Sequence, residues 1–178
     1  MKTTLLIAAL SASLTAARST VRHFYTSDFN GEYARQVGFR GDPVLWGYGL
    51  RDNLPGTTAL YRCRHVQQNQ YLMTTHPACE NAPGFQLEGN TMYIYTSRVP
   101  GTQPLDRYVN SEVDHMIVRR DWYPSHPAGY SCDALYGNYV SEGTLGYLRT
   151  DGGDGTLPLY GFTQGRHSEN DGCRSGRE

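Results

Sequence analysis

The chain has 178 residues, a formal net charge of −1, 38% hydrophobic content and a single lysine, Lys2. That length favours one domain. Charges of both signs are scattered, which leaves no basic stripe for nucleic acid and no polybasic anchor for a membrane. Without a lysine after Lys2, Schiff-base chemistry on a lysine amine is excluded.

In chain order, residues 1–19 read as a secretory signal. Lys2 gives the positive start, Leu5 to Leu14 is a short apolar run, and the small residues Ala16, Ala17 and Ser19 follow. The run is too short to span a bilayer, so the protein is expected to be secreted and extracellular, with no membrane insertion. Residues 20–164 form the domain. Their 14 Tyr and many of the 20 Gly suit short strands and tight turns rather than long helices.

Within that domain one motif recurs. Residues 87–108 slide onto 141–162 at a constant shift of 54. Glu88-Gly89 meets Glu142-Gly143, Tyr93 meets Tyr147, Gly101-Thr102 meets Gly155-Thr156, and Pro104-Leu105 meets Pro158-Leu159. A further copy lies 45 residues upstream, where Pro55-Gly56-Thr57, Leu60 and Arg62 precede Pro100-Gly101-Thr102, Leu105 and Arg107. The three copies cover about 23–67, 70–112 and 115–163. They open on His23-Phe24-Tyr25-Thr26, Gln70-Tyr71-Leu72-Met73-Thr74 and His115-Met116-Ile117-Val118. The third is longer because of an insertion between Arg120 and Tyr139, and a polar tail, 165–178, ends the chain.

Each copy reads as four short strands, giving twelve in all. One such unit cannot bury its apolar face alone, so three must share a core. An all-β fold, a β-trefoil of three internal repeats, satisfies this, whereas three propeller blades are too few to close. Closure places Leu157 to Phe162 beside His23 to Thr26. Tyr71, Phe85, Leu105, Tyr139 and Leu159 recur and are expected in the shared core.

Four cysteines in a secreted chain predict disulfides with three possible pairings. The preferred set is Cys63–Cys79 and Cys132–Cys173. The first closes a short loop and the second ties down the tail. No C-x-x-C is present, and His76-Pro77-Ala78-Cys79 is a weak metal signal. Neither a metal site nor a cofactor is expected.

The motifs H-F-Y-T, G-Y-x-x-E-G and P-G-T-x-P-L-Y-R are matched here by His23–Thr26, Gly84–Gly89 and Gly155–Tyr160. They resemble a family of secreted bacterial and fungal repeat domains of unknown function. The resemblance spans about 22–163. It implies a trefoil-type module that accompanies wall-acting hydrolases, and so a glycan or cell-wall polysaccharide as partner. In this comparison Gln70 stands where a histidine belongs, and Asp106 replaces a tyrosine. No Q-x-W occurs, unlike the ricin-type lectins.

The chemistry-bearing residues point to binding rather than catalysis. No G-x-S-x-G, H-E-x-x-H or P-loop is present. Asp28, Glu32, Asp42, Glu88 and Glu142 could supply an acid/base pair. Glu88 and Glu142 share a repeat position, however, and read as turn-supporting residues. Asp151–Gly155 matches the turn at Ser97–Gly101 rather than a calcium loop. Arg40-Gly41-Asp42 is a chance tripeptide, and His23 and His115 are expected to bridge backbone groups at strand starts. Two aromatic patches are candidates for stacking on a sugar, Trp46 with Asp42 and Tyr48, and Trp122 with Asp121 and Tyr123. The sequence therefore predicts a secreted lectin-like protein. The alternatives are a secreted protease inhibitor, using a loop such as Arg120 to Cys132 against a foreign protein, and a small hydrolase or toxin whose acids converge in space.

Overall fold

A computed structural model describes residues 22–40, 43–109, 114–119 and 140–164. The fold is all-β. Nine strands run in order: β1 (Arg22–Thr26), β2 (Val44–Leu50), β3 (Thr57–His65), β4 (Tyr71–Thr74), β5 (Phe85–Tyr95), β6 (Thr102–Val109), β7 (His115–Arg119), β8 (Val140–Arg149) and β9 (Thr156–Gln164), with one 3-10 turn at Cys79–Asn81. Three strands per copy, not four, are found among the described residues. The outer strands β5 and β8 run long, at 11 and 10 residues, where shorter pieces were expected.

The pairing follows one rule three times. The central strand of each group is flanked by the short and the long strand that follow it. Thus β3 pairs with β4 and β5, and β6 with β7 and β8. For β9 those partners are β1 and β2, at the other end of the chain. The expected closure is observed, with Phe24 opposite Phe162. The long strands meet one another near their ends, Leu50 opposite Tyr93, Tyr95 opposite Tyr147 and Tyr48 opposite Arg149.

The turns that follow the long strands form a ring. Thr96 N donates to Gly56 O, Thr150 N to Gly101 O, and Arg51 N to Gly155 O. Each turn is closed by its threonine hydroxyl, which donates to Leu54 O, Val99 O or Gly153 O at 2.7 Å. Asp151–Gly155 is accordingly a turn, as its place in the repeat predicts. The shared core holds Leu60, Leu105, Leu148, Leu159, Met92 and Ile94 among others, all essentially excluded from water. Tyr71 is fully buried in a second cluster with Phe24, Phe39 and Phe162. Phe85 packs partly buried against a third, around Cys63, Leu72 and Cys79. Tyr139 lies outside the described residues.

Strand register corrects one reading of the repeat. His23 stands opposite Thr163, Tyr71 opposite Arg64 and His115 opposite Val109. Those partners are themselves spaced by 45 and 54, so Tyr71, not Gln70, holds the histidine position of the second copy.

Candidate functional site

Among the described residues, charge is concentrated in an arginine cluster that is built twice. Arg62, on β3, donates from Nε to Glu88 (2.7 Å) and from Nη2 to Glu32 (2.9 Å), while Nη1 reaches Tyr25 O at 2.8 Å. Forty-five residues later, Arg107 on β6 donates from Nε to Glu142 (2.9 Å), from Nη1 and Nη2 to Glu80 (2.6 and 3.0 Å), and from Nη1 to Met73 O (3.1 Å). The hydroxyls of Thr26 and Thr74 donate to Glu32 and Glu80. In both copies the ladder is irregular just before and just after the arginine, between Leu60 and Tyr61 and between Arg62 and Cys63, then at the equivalent places around Arg107. Such bulges twist a strand and re-aim its side chains. The Arg62 guanidinium also lies 4.6 Å from the Phe24 ring centroid, a cation–π stack.

These contacts lower the pKa of Glu32 and Glu80. For Glu32, burial pulls upward, but the Arg62 and Thr26 hydrogen bonds outweigh it and hold the carboxyl below its ordinary range. For Glu80 the Arg107 hydrogen bond dominates and has the same effect. Glu88 and Glu142 are therefore not turn supports. They lie on β5 and β8 as ion-pair partners of strand arginines, because the glycine after each sits inside a strand. Glu32 and Glu80, held below the ordinary carboxylate range by their arginines, are not poised as protonated general acids. Asp28 accepts the backbone amides of Asn30 and Glu32.

Among the described residues, the third copy has no equivalent of this cluster. Register places Gly161 where the arginine belongs, Val118 where the threonine belongs and, by the shift of 45, Pro43 in place of the glutamate. The Tyr25 hydroxyl substitutes, donating to Ile117 O (3.0 Å) and accepting from Ile117 N (2.9 Å). A Cβ on Gly161 would fall 2.3 Å from Trp46 Nε1, so the indole occupies the space a side chain would need.

That packing corrects the first aromatic patch. Trp46 is 8% exposed and belongs to the shared core, so its face cannot stack on a ligand. Tyr48 is half-buried, with its ring against Gly152. Asp42, Asp121, Trp122 and Tyr123, and the pair Cys132 and Cys173, lie outside the described residues. The Cys63–Cys79 disulfide is formed. His23 and His115 each face a carboxylate. His23 Nδ1 is 3.2 Å from Asp114, and His115 Nε2 is 3.7 Å from Glu142.

An apolar group instead surrounds the half-buried Tyr160 of β9, which also packs against the Phe24, Phe39 and Phe162 cluster. Phe29, in the loop after β1, is 59% exposed and meets the Tyr160 ring edge-on at 5.4 Å. Leu45, 42% exposed, stands directly opposite Tyr160. The sequence offered no repeat signal for Phe29, since Pro77 holds its place in the second copy.

No curated protein and no solved structure matches the chain. Residues 15–122 match a family model described as a domain of unknown function, DUF5648. That match covers more than half of the 178 residues, and the chain belongs to that family.

Proposed function

We propose that this protein is a secreted, lectin-like module of β-trefoil type that binds glycans or cell-wall polysaccharide through the Phe29–Tyr160–Leu45 platform. The observation that carries the reading is the exposure of Phe29 against Tyr160. Large apolar groups exposed together mark binding surfaces. Aromatic faces stack on the C–H face of a pyranose, while neighbouring polar groups meet its hydroxyls. Asn30, exposed beside Phe29, is placed for that second role. The ring of turn hydrogen bonds and the meeting of β2, β5 and β8 support the trefoil reading. The leader-like residues 1–19 and the Cys63–Cys79 disulfide, a bond that persists in oxidising compartments, support secretion.

The test is a glycan array and polysaccharide pull-down of the oxidised protein beside Phe29→Ala, Tyr160→Ala and the double variant. Losing one stacked ring is expected to weaken binding about tenfold, which is about 1.4 kcal/mol. Full binding by the double variant would remove the platform, and no binding by the parent protein would remove the function.

A further inference from the structure

The three turns of the ring are equivalent in backbone but not in their second residue, which is Asn53, Arg98 or Gly152. In the first turn the Asn53 side chain lies against its own turn, its Oδ1 3.1 Å from the Thr57 hydroxyl. In the third, Gly152 is covered by Tyr48, whose Cε1 would lie 2.7 Å from an added Cβ. The second turn is different. Arg98 is exposed and makes no hydrogen bond or ion pair among the described residues. Beside it is a hollow of about 340 Å³, lined also by Gly101, Thr102, Gln103 and Thr150.

We infer that this hollow is a subsite for a carboxylate carried on a sugar, a uronic-acid residue of an acidic glycan. The inference rests on the glycan-binding reading and places a second contact on the same molecule. A guanidinium presents a planar fork of donors that matches a carboxylate in two parallel bonds. The acid bordering the hollow does not compete. Asp151, which borders Gly101, is held by Arg149 Nη2 at 3.1 Å to each of its oxygens. The volume lies at the lower end of the range for small-ligand sites, room for about one sugar residue. The Gln103 amide can donate and accept, and the Thr150 hydroxyl, which donates to Gly101 O, keeps lone pairs for a sugar hydroxyl.

The experiment is calorimetry of the oxidised full chain with a galacturonate tetramer and with its methyl ester, which replaces each carboxylate charge by a neutral methyl ester. The acid is expected to bind at least tenfold tighter than the ester. Arg98→Gln is expected to erase that preference, and Arg98→Lys to restore part of it, because a point charge lacks the fork. Both substitutions fall at an exposed turn position, and an unchanged melting temperature verifies the fold. Equal affinity for acid and ester in the parent protein, no binding of the acid, or a preference that survives Arg98→Gln would each overturn the subsite. The platform variant separates the two ideas. If Phe29→Ala with Tyr160→Ala weakens the ester while no acid preference exists, the glycan reading stands and the Arg98 subsite falls. If the acid preference is lost in Arg98→Gln but the platform variant binds like the parent, the subsite stands and the platform falls.

Discussion

Arg62 and Arg107 occupy the same place in successive copies but have different neighbours. Tyr71 approaches the Glu88 side of the first cluster, and His115, in the same register position, approaches Glu142 in the second. Burial lowers the His115 pKa. Arg107 lowers it further, against the upward pull of Glu142, Asp114 and Glu80. A histidine whose folded pKa lies below its unfolded value favours the folded state above the unfolded pKa, near 6.5, and that stabilisation is lost as pH falls through the folded pKa. The lowered Glu80 adds a second loss at more acid pH, with the same sign. The protein should therefore lose stability on acidification from pH 7, and His115→Gln should flatten the first part of that loss while leaving the carboxylate part. Denaturant melts at several pH values read this directly. An identical pH profile in the variant would show that His115 takes no part. The contribution of the arginine itself is larger. Arg107→Met leaves Glu80 and Glu142 without their cation, and removing one partner of a buried ion pair costs about 3 kcal/mol. That figure is an upper value here, because both carboxylates keep some access to water.

Among the elements, the Cys63–Cys79 bridge matters through the loop it anchors. Cys79, Glu80 and Asn81 have φ of 51°, 57° and 56°, a left-handed run that side chains other than glycine's resist. The first copy manages the same bend with Gly31 and Glu32, at φ 79° and 49°. A disulfide thus holds in the second copy a shape that a glycine eases in the first, and so presents Glu80 to Arg107. Replacing both cysteines by alanine is expected to cost about 3 kcal/mol for a loop of 16 residues. It should also raise amide exchange across residues 75–84 and at Arg107. A variant equally stable, with exchange unchanged there, would show that the loop holds without its bridge. This disulfide was the preferred one of three possible pairings because it closes a short loop, and the turns were legible because identities at fixed offsets do not depend on packing. The role of Glu88 was not legible. Glu-Gly in sequence suggests a turn, and only the irregular ladder of β3 and β5 shows that Gly89 lies inside a strand. Trp46 was misread for a related reason. The space that buries it comes from Gly161, more than a hundred residues away, and no local pattern announces a missing side chain.

For the domain as a whole, the first and last described strands, β1 and β9, close the third group. Arg22 stands opposite Gln164, so β9, β1 and β2 reproduce the geometry of β3, β4 and β5 with one covalent link missing. In the first group that link is the hairpin 66–70 between β3 and β4. If the folded state is specified by three equivalent units around one core, the position of the break should be interchangeable. A permutant in which a five-residue hairpin joins Gln164 to Arg22, with new ends opened between Gln67 and Gln68, is then expected to fold. Its loss of stability should be about 1–2 kcal/mol, the usual scale of a single local change. Strand ends that lie side by side, as Arg22 and Gln164 do, are what make such rearrangements tolerated. Spectroscopic melts would check it, and the Asn69 amide sharpens the test. It donates to both Val37 O and Gln164 Oε1, and so ties the opened hairpin to the third group. A permutant that fails to fold, while an Asn69→Ala chain of natural order folds well, would show that the 66–70 hairpin is required as a continuous link. The three groups would then be alike in geometry but not in their part in folding.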